Sequence, residues 1–177
     1  MAHHPPQIHY NQPPYACVPL PRQFAQPPAL DPMLERFQRG AAIAWSVSEC
    51  PSTAVARMEL PYGHIWQNRP ATNPPTSSLT IYSKPTGDRP IVLVKQSYVT
   101  VGDVLVRVHQ EIRCAAREYY QPTPQPLLFH PQTYHQPPNP IVNEQQMRHW
   151  VLAYLNGRYT WAGLRLQDPE SWYLDIR

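Results

Sequence analysis

The sequence predicts an α+β fold, a small and mainly antiparallel sheet of about five strands packed on one principal helix at 101–120, preceded by a disordered proline-rich N-terminal tail. Three observations lead there. One stretch has a helical apolar period with a capped start. Several short β-rich runs are bounded by turn residues. The 24 prolines, against six glycines, crowd into segments that cannot form regular structure. These shifts in composition divide the 177 residues into a tail at 1–29 and a single α+β domain at 30–177, with a proline-rich insertion at 121–142.

In the tail, His3, His4, Pro5, Pro6, Tyr10, Pro13, Pro14, Tyr15, Pro19 and Pro21 give low charge and no apolar period, which predicts disorder with polyproline character. Gln12-Pro13-Pro14-Tyr15 lacks the first proline of a PPxY ligand, and Pro19-Leu20-Pro21-Arg22 is too closely spaced for a PxxP core. The tail therefore reads as passive. His3, His4 and His9 have no cysteine pair or helical histidine spacing to fix metal geometry, so no metal is expected.

In 41–48, Ile43, Trp45 and Val47 alternate onto one side of a first strand, and Cys50-Pro51-Ser52-Thr53 ends it. Pro61-Tyr62-Gly63 leads into His64 and Trp66, a turn-rich stretch, and 69–75 reads as extended coil. The runs 79–82 and 91–94 read as a hairpin with a long loop, and Pro90 marks an edge strand.

For the principal helix, Thr100 serves as N-cap with Asp103 three residues on. Val101, Val104, Leu105, Val108, Ile112, Ala115, Ala116 and Tyr119 then fall on an arc of roughly 120° and form a buried stripe. Asp103, Arg107, Gln110, Glu111, Arg113, Arg117 and Glu118 form the solvated face, and Gln121-Pro122 ends the helix.

Two readings compete in 143–161. Asn156-Gly157 is a two-residue hairpin signal that would pair Tyr154 with Tyr159 and Leu152 with Trp161, making Tyr154, Tyr159 and Trp161 a candidate aromatic interaction face. Alternatively, Asn143 with Gln146 caps a helix with Met147, Trp150, Val151 and Tyr154 on one face and Gly157 as its stop. A short helix turning into the hairpin is preferred. Residues 172–176 form the final strand after a turn at 168–171.

No catalytic, cofactor-binding or metal-binding signature is present: there is no serine elbow, phosphate loop or paired-histidine helix. Cys114 lies near the buried arc and reads as a packing residue. Asp103, His109, Glu111 and Asp175 have capping or solvated roles. Cys17, Cys50 and Cys114 are odd in number and scattered, as for reduced thiols. The first 28 residues have no apolar signal-peptide run and no segment is long enough to cross a membrane, so an intracellular protein, cytoplasmic or nuclear, is expected. A net charge of +3 with arginines dispersed among acids makes nucleic acid an unlikely partner. The reading that remains is a non-enzymatic protein-interaction module, helped by an aromatic content beyond the needs of a small core. Against it stands an enzyme or small-molecule binder, which would show a pocket enclosing His109, His149 or Cys114 beside a carboxylate.

Four blocks, Pro70-Ala71-Thr72-Asn73-Pro74-Pro75, Ser78-Leu79-Thr80-Ile81, Tyr98-Val99-Thr100-Val101-Gly102-Asp103-Val104-Leu105 and Gly157-Arg158-Tyr159-Thr160-Trp161-Ala162-Gly163-Leu164, occur in the order seen in a fungal domain of unknown function, number 6699. The chain resembles that family over roughly residues 30–177. The resemblance implies no activity, cofactor or site residue. It also marks the proline-rich insertion as a departure, since similar proteins tend to have a charged helical stretch there.

Overall fold

The computed structural model describes residues 28–38, 40–57, 66–121 and 142–177. The tail, the Pro61-Tyr62-Gly63-His64 stretch and most of the proline-rich insertion lie outside the described residues. Among the described residues the chain forms β1 (Ala29–Leu30), β2 (Ile43–Ala44), β3 (Val55–Ala56), β4 (Thr72–Asn73), β5 (Ser78–Ser83), β6 (Gly87–Val94), α1 (Val101–Tyr120), α2 (Glu144–Tyr154), β7 (Trp161–Asp168) and β8 (Ser171–Ile176). It is an α+β fold.

The main sheet has four strands in the order β6-β5-β8-β7. Two hairpins build it, β5 with β6 and β7 with β8, and they join through a parallel pairing of β5 with β8. The remaining strand-like runs form two separate two-stranded ribbons, β1 with β4 and β2 with β3, instead of a fifth strand. The first hairpin has longer strands and a shorter loop than its β-rich runs suggest. Ser83 already pairs with Gly87, and the hydroxyls of Ser83 and Thr86 meet at 2.8 Å, satisfying two buried polar groups inside the turn. No described strand pairs with the outer side of β6, the strand that contains Pro90. That placement suits a residue with no amide hydrogen to give.

The alternation at Ile43, Trp45 and Val47 is real, for all three are buried, but the strand expected over 41–48 is only two residues long. Beyond Ala44 the chain changes partners. The Trp161 amide donates to the Trp45 carbonyl at 3.0 Å, and the Val47 amide to the Tyr159 carbonyl at 2.8 Å. The extended run thus stitches the small β2–β3 ribbon to the lead-in of β7.

Helix α1 begins in a capping box. The Asp103 amide donates to the Thr100 hydroxyl at 3.1 Å, and the Thr100 amide donates to the Asp103 carboxylate at 3.0 Å. Its buried residues run from Val101 to Ala116. Tyr119, placed by periodicity in the buried stripe, is 67% exposed, and Cys114 is exposed as well. Cys114 lies outside the buried arc that takes in its neighbours Ala115 and Ala116, whereas Tyr119 lies on the arc and is exposed for another reason. Periodicity marks a direction around the helix, whereas burial also needs a neighbour at that height, and the last turn of α1 meets the rings of α2 instead of core residues.

The 143–161 region resolves in favour of the helix. Asn143 caps α2 by accepting from the Gln146 amide at 2.7 Å, and Met147, Val151 and Leu155 are buried. Asn156 (φ 49°) and Gly157 (φ 77°) then take the left-handed conformation and stop the helix, so they do not join two strands. Consecutive left-handed residues serve either purpose. Burial of the Met147/Val151/Leu155 face decides between them here. The hairpin actually forms at β7–β8, with Asp168 paired to Ser171. The Asp168 carboxylate accepts from the Glu170 amide at 2.9 Å and from the Ser171 hydroxyl.

Candidate interaction surface

Four aromatic side chains meet where α1 ends and α2 passes. Tyr119 and Tyr120 are consecutive, so they point about 100° apart around the helix, Tyr119 in line with the buried stripe and Tyr120 to one side of it. Trp150 and Tyr154 are four residues apart on α2 and occupy one face. The Tyr119 ring lies 5.0 Å from Tyr120, nearly perpendicular at 81°, and 5.5 Å from Tyr154. Tyr120 stacks on Trp150 at 5.9 Å with 22° between planes. Tyr119 is 67% and Tyr120 38% exposed, while Trp150 and Tyr154 are half-buried and packed against the core. The result is a ridged aromatic surface on two helices.

Ion pairs brace this surface, with Arg117 exposed in the last turn of α1 beside it. Arg113 of α1 grips the Glu144 carboxylate with both terminal nitrogens, one at 2.7 Å, which ties the start of α2 to α1. That contact raises the guanidinium pKa and holds the Glu144 carboxyl below its ordinary range. At the other end, Arg89 of β6 reaches Glu118 in the last turn of α1 at 3.1 Å. The Tyr154 hydroxyl donates to the Pro85 carbonyl, and burial raises its pKa, so it stays a proton donor.

Beyond Tyr154 the surface opens into a groove of about 450 Å³ bordered by Lys84, Pro85, Arg158, Tyr173 and Asp175. Arg165 lies over the Tyr173 ring at 4.4 Å and meets Asp175 at 3.3 Å; Asp175 also pairs with Arg36.

Of the expected Tyr154/Tyr159/Trp161 face, only Tyr154 belongs to this surface. Trp161 is 2% exposed, packs against Trp45 at 5.8 Å, and its indole N–H finds no partner among the described residues. Tyr159 is exposed in the lead-in to β7. The expected Tyr154/Tyr159/Trp161 face does not exist, because Tyr154 is helical and has no cross-strand partner. Thr100 and Asp103 start α1, whereas the aromatic surface lies at its other end. Asn156 lies beside the groove as the helix stop. Sequence reasoning missed Tyr119, Tyr120 and Trp150 as a group; the adjacent tyrosines just before Pro122 were the available signal.

Of the other titratable residues, Cys50 and His109 both lie within electrostatic reach of Arg113 and Glu144. His109 is half-buried, its Nδ1 2.9 Å from the Val47 carbonyl, so the proton sits on Nδ1; burial lowers its pKa. His149 lines a shallow depression with Asn143, Gln146 and Arg148, and no carboxylate borders it. The exposed Cys50 thiol accepts from the Ser52 hydroxyl at 3.1 Å, and this bond lowers its pKa. No group of three or more metal-ligating side chains occurs among the described residues, and no described helix is long and apolar enough to cross a membrane.

No curated protein and no solved structure matches the chain. A family model described as a family of unknown function, DUF6699, matches residues 43–172, from the start of β2 into β8. The match therefore spans both helices and most of the main sheet, and the chain belongs to the DUF6699 family.

Proposed function

We propose that this protein is a non-enzymatic, intracellular protein-interaction module that recognises its partner on the α1–α2 aromatic surface. The observation that carries this reading is the exposure of Tyr119 and Tyr120 against Trp150 and Tyr154. Tyrosine and tryptophan offer large contact area for few rotatable bonds, and such residues dominate binding energy when held by rigid elements. The helices supply that rigidity through the Arg113–Glu144 clamp.

The test is affinity purification with mass spectrometry from the native host, comparing the natural chain with a Tyr119→Ser/Tyr120→Ser variant of unchanged melting temperature. A partner enriched by the natural chain and reduced about tenfold or more by the variant, a loss of about 1.4 kcal/mol, supports the reading. Equal capture by both sinks it. A second reading, a small-molecule binder, draws on the groove between Lys84, Arg158 and Tyr173, whose volume of about 450 Å³ is ligand-sized. A thermal-shift screen of anionic metabolites tests that reading, and stabilisation abolished by Arg158→Gln would favour it.

A further inference from the structure

We infer that the groove between the β5–β6 turn and the end of α2 binds an organic phosphomonoester, with Lys84 and Arg158 on the phosphate and the ligand's apolar body on the floor between them. The inference rests on the reading of this groove as a small-molecule site, and it names the ligand class and the residues that select it.

Two local structures build the groove and fix its width. On one bank the β5–β6 turn carries Lys84 and Pro85, and the hydroxyls of Ser83 and Thr86 lock that turn at 2.8 Å. On the other bank Asn156 and Gly157, both left-handed, redirect the chain out of α2. The Arg158 amide then donates to the Leu155 carbonyl at 3.0 Å, which sets where residue 158 leaves the helix. The Tyr154 hydroxyl donates to the Pro85 carbonyl and ties one bank to the other. A groove braced in this way is formed before a ligand arrives, so little ordering entropy opposes binding.

Charge identifies what the groove takes. Asp175 borders it, but its carboxylate already meets Arg165 at 3.3 Å and also pairs with Arg36. Lys84 and Arg158 are exposed and meet no carboxylate among the described residues. A cation beside a helix C-terminus often serves only to offset the helix dipole. Here the amides of Gly157, Asn156 and Arg158 already occupy the carbonyls of Leu152, Ala153 and Leu155, which leaves that compensation to the backbone. Two unmatched cations on one groove suit a dianion, since a single carboxylate would neutralise one and leave the other. A phosphomonoester carries a charge of about −1.5 to −2 at neutral pH and three acceptor oxygens. Those oxygens can take the ammonium, the guanidinium and the side-chain amide of Asn156, which lines the same groove.

Volume and lining supply the rest of the ligand. Phosphate alone would leave most of the groove's 450 Å³ unfilled. The remaining lining includes Leu155, Leu174, Ile176 and the Tyr173 ring, which Arg165 holds from one side at 4.4 Å. These surfaces suit a flat apolar body attached to the phosphate.

The test titrates phenyl phosphate into the full ¹⁵N-labelled chain at neutral pH, with inorganic phosphate, benzoate and phenol in parallel. Saturable shifts are expected at the backbone amides of Asn156, Gly157, Arg158 and Tyr173. Arg158→Gln and Lys84→Gln should each weaken binding about tenfold, as the loss of one charge-assisted hydrogen bond predicts. Both side chains are exposed, so both variants should keep the natural melting temperature. The three parallel compounds should each bind at least about tenfold more weakly than phenyl phosphate. No saturable shift at those amides overturns the inference, and so does an unchanged affinity in both variants. Inorganic phosphate binding as tightly as phenyl phosphate would make the groove a simple anion site, and benzoate doing so would make it a carboxylate site; either result also overturns it. If phenyl phosphate fails while a metabolite stabilises the chain through Arg158 in the thermal-shift screen, the small-molecule reading stands and only the ligand class falls.

Discussion

Gly163 shows how much one position can decide. Its φ is +105°, and a Cβ placed there would lie 2.8 Å from backbone atoms of Glu35 and Arg36. The close approach lets the Leu164 amide donate to the Leu34 carbonyl and the Arg36 amide donate to the Leu164 carbonyl, fastening residues 34–36 onto β7. Gly163→Ala is expected to destabilise the fold by about 2 kcal/mol or more, from left-handed strain plus the clash, read from urea unfolding. An equal midpoint for variant and natural chain would refute this. His109 gives a pH prediction. Burial holds its folded pKa below the unfolded value of about 6.5, so the native state binds fewer protons as pH falls through that value. Its contribution to stability is complete above about 6.5 and declines as pH falls toward the folded pKa. The depressed carboxyls of Asp103 and Glu144 act in the same direction in a more acidic window, where they too must be protonated. For Asp103, burial opposes the shift, and the Lys95 and Thr100 hydrogen bonds outweigh it. His109→Gln should therefore flatten the dependence of unfolding free energy on pH just below about 6.5 while leaving the more acidic slope.

The elements differ in how legible they were. Helix α1 could be read because its cap, its period and its proline stop agree, and each acts through neighbours in sequence. Removing its cap by Thr100→Ala should cost about 1 kcal/mol, measurable by thermal or urea denaturation, since the Asp103 amide loses its hydroxyl acceptor while the Thr100 backbone amide keeps its bond to the Asp103 carboxylate. The β5–β6 edge was legible from Pro90 alone. Asn156-Gly157 was ambiguous, because left-handed backbone is all the dipeptide specifies. What it terminates depends on whether Met147, Val151 and Leu155 have something to pack against, and that partner is a distant part of the chain. The turn at 168–171 was recognised, but its rank as the hairpin of the second half was not, for the pairing of Leu164 with Leu174 is a tertiary fact.

At the scale of the whole molecule, core and surface should respond differently to truncation. Ile112 is fully buried, and Ile112→Ala should cost roughly 2–5 kcal/mol in urea unfolding. Tyr119→Ser/Tyr120→Ser should cost well under that, because both rings already meet solvent. A tyrosine variant as damaging as the isoleucine one would make the aromatic cluster part of the core and remove the basis of the recognition reading.

The local pattern of residues was enough to establish an α+β chain, the capped α1, the buried alternation at Ile43, Trp45 and Val47, and the family, because periodicity, capping chemistry and block order are carried within short windows. Tertiary structure alone decided the parallel join of β5 and β8, the fate of Asn156-Gly157, and the gathering of Tyr119, Tyr120, Trp150 and Tyr154 on one surface. Each of those depends on which distant segment occupies the neighbouring space, and burial free energy, which rewards contact regardless of separation along the chain, is not written in any window of sequence.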